Sequence, residues 1–176
     1  MTDQTPYTVD ATTALRAPAG TSTSTPWIWV IALVPLLSVI PAMFIDWRGI
    51  LTISLLYPSD PAAQFALFTD PGYLSTVLLG IVATAILVLG AYFDHKQLKA
   101  RGVPQPFAWP WMLFVFVAGG NLVYVIGRSV VVRRRTGGGL APLWATIAVH
   151  AVSLVVGIVI MSIVFSTVFE FIRYYG

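Results

Sequence analysis

His150 is the ionisable side chain set deepest in a long apolar run. It stands four residues after Thr146 and three before Ser153. At 100° per residue Thr146, His150, Ser153 and Gly157 fall within a narrow arc, so a helix here carries a polar stripe. An imidazole in that position either glues helices together through a hydrogen bond or accepts a proton as part of a polar path. Asn121 is the matching group on the preceding apolar segment. It lies six residues before that segment's end, and His150 lies seven after the next one's start. If the two segments are antiparallel neighbours, both side chains sit roughly 10 Å into the membrane, and an Asn121–His150 hydrogen bond is expected.

Arg128, Arg133, Arg134 and Arg135 form the densest cluster of charge. Each such cation near anionic headgroups is worth about 1 kcal/mol, so the cluster reads as an anchor on anionic lipid, or as a docking point for an acidic partner. The Thr136-Gly137-Gly138-Gly139 run after it is a flexible turn and not a phosphate loop, since no Gly-Lys occurs anywhere in the chain. Asp94-His95 could suggest acid–base work, but a single adjacent pair at a helix exit reads first as an interfacial cap. No G-x-S-x-G elbow and no H-E-x-x-H pair is present. With no Cys and only two His, a metal centre and a thiol nucleophile are not expected, and neither is any cofactor.

These groups sit in a chain of 176 residues that is 57% hydrophobic and only 10% charged. Soluble domains carry about 25% charged residues, so a water-soluble globule is excluded in favour of a membrane protein. Ten Lys and Arg against seven Asp and Glu are too dispersed for a nucleic-acid surface.

The expected class is an all-α integral membrane bundle with four apolar segments. Residues 1–26, rich in Thr, Ser, Ala and Pro, are expected to be a disordered tail. The single helical membrane domain then covers 27–176. Its first segment spans about 27–46: nineteen residues from Trp27 to Ile45 carry no charge, and Trp27, Trp29 and Trp47 mark its interfaces. Pro35 and Pro41 should bend it. Asp60-Pro61 and Asp70-Pro71 each read as a helix start, an Asp cap followed by Pro in the first turn. A short interfacial helix is expected at 61–68 and a second segment at 71–93. Thr76, Gly80 and Thr84 give that segment one small face, suited to close packing. The third segment covers 107–127 and the fourth 143–169.

Charge leaves the third segment's path open. If it crosses, the 94–106 loop and the 128–142 loop face opposite sides, with five cations on each side and no preferred orientation. If it dips in and returns at Gly119-Gly120-Asn121, eight cations share one side against two. A crossing helix is the leading expectation, because 21 residues suffice to span.

Residues 94–144 carry the stretch DHKQLKARGVPQPFAWPW and then YVIGRSVVVRRRTGGGLAPLW. This pattern resembles a group of small uncharacterised integral membrane proteins of actinobacteria. The resemblance covers about a third of the chain and is most specific from Tyr124 to Trp144. It implies a multi-pass protein of a Gram-positive plasma membrane and carries no known activity. Members often place a Trp-rich soluble module before the first span, whereas residues 1–26 here contain no Trp.

The expected function is non-enzymatic: an accessory or scaffold protein contacting membrane lipids, anionic headgroups among them, with a protein partner or a second copy of itself. The alternative is a subunit of a small oligomeric transporter or channel using the His150 stripe.

Overall fold

The computed structural model describes residues 15–116 and 120–175, and those residues contain helices and no strand. The helices are α1 (Pro26–Leu33), α2 (Leu36–Ala42), α3 (Trp47–Leu56), α4 (Pro61–Gln64), α5 (Ala66–Thr69), α6 (Pro71–Ala100), α7 (Gly120–Thr136) and α8 (Ala141–Tyr175), with a 3-10 stretch at Trp109–Phe116 between α6 and α7. Among the described residues only α6 and α8 are long and apolar enough to cross a membrane singly. Pro26–Ala42 and Trp47–Leu56 become a third candidate if that pair, bent by 48°, is one broken span. Much of the surface of α6 and α8 is apolar and exposed, as expected where lipid is the solvent.

The chain gathers into two units. The first joins the described residues up to Val30 with Val88–Trp144, and the second joins Ile31–Leu87 with the chain from Ala145 on. Both α6 and α8 contribute residues to each.

In the second unit the expected first segment is not one helix. It breaks between α1 and α2 at Val34-Pro35, and again before Asp46. Pro35 supplies no N–H and clashes with the preceding turn, which is enough to interrupt the ladder. Asp46 then restarts the chain as α3, its carboxylate accepting from the Gly49 N–H at 3.0 Å. Asp60 caps α4 through Ala62 N–H at 2.9 Å, and Asp70 caps α6 through Tyr73 N–H at 2.8 Å. Both Asp-Pro starts are as read from the sequence. The expected single helix at 61–68 is two short ones, α4 and α5, tied to α3 where Ser54 Oγ donates to the Ala63 carbonyl. On the small face of α6, Gly80 faces Ser38 of α2.

In the first unit α6 runs on to Ala100, so the 94–106 loop is largely helix. The 128–142 loop is likewise mostly the C-terminal half of α7, which ends at Gly137 with φ +80 and its N–H on the Arg133 carbonyl. The third segment is not a single crossing helix over 107–127. Pro104, Pro106 and Pro110 oppose a helix before Trp109, and the chain forms 3-10 turns there and then packs them on α7. Gly119, part of the expected re-entrant turn, lies outside the described residues, while Gly120 opens α7. Phe107 stands over Gly127 so closely that any Cβ there would enter its ring.

Of the stretch read as a disordered tail, residues 1–14 lie outside the described residues, while 15–26 make defined contacts. Ala17 N–H bonds the Arg135 carbonyl at 3.0 Å, and Thr25 is fully buried. The contacts that hold this arm come from α6 and α7, which no local composition could reveal.

Candidate functional site

Asp94 on α6 and Arg128 on α7 are each 0% exposed. Their placement follows from helical register. On α6 the buried residues Leu87, Ala91, Asp94 and Leu98 recur every three or four positions, and on α7 Asn121, Tyr124, Arg128 and Val132 do the same. Each ionisable group therefore occupies an inward position of a buried helix face, and burial forces it to find a partner.

Arg128 reaches Asp94 with two nitrogens, Nε to Oδ2 at 3.2 Å and Nη2 to Oδ1 at 3.3 Å. This fork is the strong, directional form of the pair. The Tyr124 hydroxyl donates to Oδ2 at 2.9 Å, and Thr25 Oγ1 donates to Oδ1. A carboxylate has about four acceptor positions, and all four are taken. Burial first, and then the charge of Asp94, hold the Tyr124 hydroxyl far above the usual phenol range, so it stays a donor.

The same centre fastens the N-terminal arm. Arg128 Nη2 also donates to the Thr23 carbonyl at 2.6 Å. Thr25 Oγ1 accepts from the Ile28 N–H at 3.2 Å, which makes Thr25 the cap of α1 with Pro26 in the first turn. Arg101 donates to the Ser24 carbonyl at 2.8 Å, and Trp27 stacks on Phe93 with centroids 4.8 Å apart. Arg128 Nη1 and Ser129 Oγ are buried with no hydrogen-bond partner among the described residues.

Arg128 is thus corrected from a lipid-facing or partner-facing cation to a buried structural one. Asp94 is corrected from an interfacial cap to its counter-ion. Arg133 and Arg134 are exposed in the last turn of α7, and Arg135 donates to the Pro104 carbonyl. With Arg16 and the turn at Pro18–Thr21 they line a cavity of about 610 Å³. Asn121 is buried at the start of α7 in the first unit. In the second unit Thr146 is buried and His150 is half-buried. His150 Nδ1 lies 2.8 Å from the Thr146 carbonyl, which can only accept, so Nδ1 carries the hydrogen. Ser153 Oγ donates to the Val149 carbonyl at 2.9 Å. Two members of the stripe therefore bond back to their own helix. His95 does otherwise, its Nδ1 donating to the Phe107 carbonyl at 2.9 Å and pinning the chain that follows α6.

Tyr124 and Thr25 were not singled out by sequence, and Asp94 was read only together with His95 as an interfacial cap. The usable signal was the register that places Asp94 with Leu87, Ala91 and Leu98, and Arg128 with Tyr124 and Val132, on one helix face each. Among the described residues no three His, Cys, Asp or Glu side chains gather to hold a metal. No family model, curated protein or solved structure matches the chain.

Proposed function

We propose that this is a non-enzymatic accessory or scaffold protein of the plasma membrane. The observation that carries the reading is the saturation of Asp94. Its four acceptor positions are spent on Thr25, Tyr124 and Arg128, so the most conspicuous polar centre has no lone pair left for acid–base chemistry and serves to hold the arm on α6 and α7.

Charge separation supports an orientation. The described part of the first unit holds eight Lys and Arg against one carboxylate, Asp94, whereas the second holds Arg48 and Arg173 against four carboxylates. Cytoplasmic segments carry the excess of Lys and Arg, so the first unit faces the cytosol. The third apolar segment then folds back and does not cross. Arg133 and Arg134 meet anionic lipid or an acidic protein partner, and nucleic acid is not a ligand.

A second reading, a subunit of a small oligomeric transporter or channel, draws on Gly157. Among the described residues nothing lies within 4 Å of where its Cβ would be, so a second helix could approach α8 closely at Gly157.

Purification of the tagged full chain from native membranes in mild detergent separates the two. The accessory reading expects a fixed stoichiometry with one other membrane protein. A homo-oligomer that conducts ions or solutes in liposomes overturns it.

A further inference from the structure

We propose that the cavity between the N-terminal arm and the end of α7 is a binding site for a phosphate-bearing anion. The proposal rests on the reading that the basic unit faces an anionic surface, and it adds a built pocket, a wall from the arm and a ligand chemistry. Arg16 and the turn at Pro18–Thr21 form one wall, and Arg133, Arg134 and Arg135 form the other. The wall from the arm is fixed in place. Ala17 N–H bonds the Arg135 carbonyl at 3.0 Å, Thr21 Oγ1 closes the turn on the Pro18 carbonyl at 2.7 Å, and Ala17 packs on the Leu98, Val103 and Val132 cluster.

Four arginine residues from two separate segments line the cavity, with the Arg135 guanidinium also held by the Pro104 carbonyl, and among the described residues no carboxylate lines it. The side chains of Arg16, Arg133 and Arg134 have no hydrogen-bond or ion-pair partner among the described residues. The one carboxylate described in the unit, Asp94, is consumed by Arg128. Part of the α7 cluster is accounted for locally, since cations in a last turn complement the helix dipole. That account does not reach Arg16, which the fold of the arm brings to the same cavity. Like charges gathered this way repel unless an anion sits among them.

The chemistry of that anion follows from the donors. Guanidinium forks match oxygens in pairs, and a carboxylate offers two oxygens to a single fork. A phosphate group offers three or more and so can satisfy forks from both walls together. The volume, about 610 Å³, lies within the range of ligand pockets and exceeds what one bare phosphate fills. A phosphorylated headgroup and a small soluble phosphate share this chemistry.

The test uses the full chain, with thermal unfolding and native mass spectrometry as readouts, because a ligand that binds only the folded state raises its stability. In neutral detergent the probe is inorganic phosphate. In phosphatidylcholine nanodiscs the probe is added phosphatidic acid. Stabilisation and retention of phosphatidic acid alone assigns the site to a lipid headgroup, and stabilisation by inorganic phosphate assigns it to a soluble anion. Either result supports the proposal, provided that Arg16→Gln and the pair Arg133→Gln/Arg134→Gln weaken binding about tenfold or more while Lys96→Gln/Lys99→Gln does not. All of these side chains are exposed, so folded helix content is expected to be unchanged in every variant. No stabilisation by either probe overturns the proposal. So does equal weakening by the Lys96/Lys99 pair, which would mean diffuse surface charge, and so does unchanged binding by the pocket variants. Such a failure leaves the accessory reading standing, because that is judged by partner stoichiometry.

Discussion

The guanidinium of Arg128 grips the carboxylate of Asp94 through two parallel contacts of 3.2 and 3.3 Å, with neither side chain reaching solvent. Thirty-four positions separate them in the chain, yet they form the centre on which α6, α7 and the N-terminal arm converge. Removing one member of such a pair strands a charge where nothing replaces its partner. Asp94→Ala or Arg128→Ala should therefore destabilise the first unit by about 3–5 kcal/mol. Thermal or denaturant unfolding in detergent measures this. A loss within error for either variant would mean that the pair is not buried as described.

Thr25 links the pair to the arm by donating to Asp94 while capping α1. Thr25→Val keeps the shape and removes both bonds, and loss of a cap alone costs about 1 kcal/mol. Hydrogen exchange is expected to rise at residues 15–28 and to stay level in the middle of α8. Unchanged protection of the arm would assign its placement to other contacts.

Gly127 leaves room for the Phe107 ring, so Gly127→Ala should be destabilising although Ala favours helix. The cost falls in the range of about 1–3 kcal/mol typical of overpacking. Phe107→Leu placed in the same chain should recover part of it. A double-mutant cycle with no coupling between the two would contradict the contact.

His150 donates from Nδ1 to its own helix, which leaves Nε2 for whatever faces it. His150→Phe is expected to cost about 0.6–2 kcal/mol in stability if the ring is helix glue. An intact fold combined with loss of a pH-dependent flux would favour the transport reading.

Tags at residues 100 and 138 test the orientation. Ala100 and Gly138 are both exposed and belong to the unit that carries eight cations. Labelling of both from the cytosolic side is expected. Labelling from opposite faces would restore a crossing third segment.

The amino-acid sequence by itself determined the long apolar runs and the local starts and stops. The runs at 71–93 and 143–169 carry no Asp, Glu, Lys or Arg and are long enough to span a bilayer whatever their neighbours are. The actual helices, Pro71–Ala100 and Ala141–Tyr175, extend those runs by adding polar ends. Asp60-Pro61 and Asp70-Pro71 set their caps through bonds two or three residues away, and Pro35 breaks its helix on the spot. These are short-range effects, and a linear reading captures them.

Only the tertiary structure decided which charges face inward and which segments are held. Arg128 and Arg134 look alike as members of one arginine-rich stretch, but one is buried against Asp94 and the other is exposed at the end of α7. The arm at 15–26 has the composition of a tail and is nonetheless fixed by Thr25 on Asp94 and by Ala17 on Arg135. The third apolar segment has the length of a crossing helix, yet forms 3-10 turns laid against α7. In each case the deciding partner lies far away in the chain. The energy of a buried ion or an orphaned carbonyl depends on that partner and not on the residue's own neighbours.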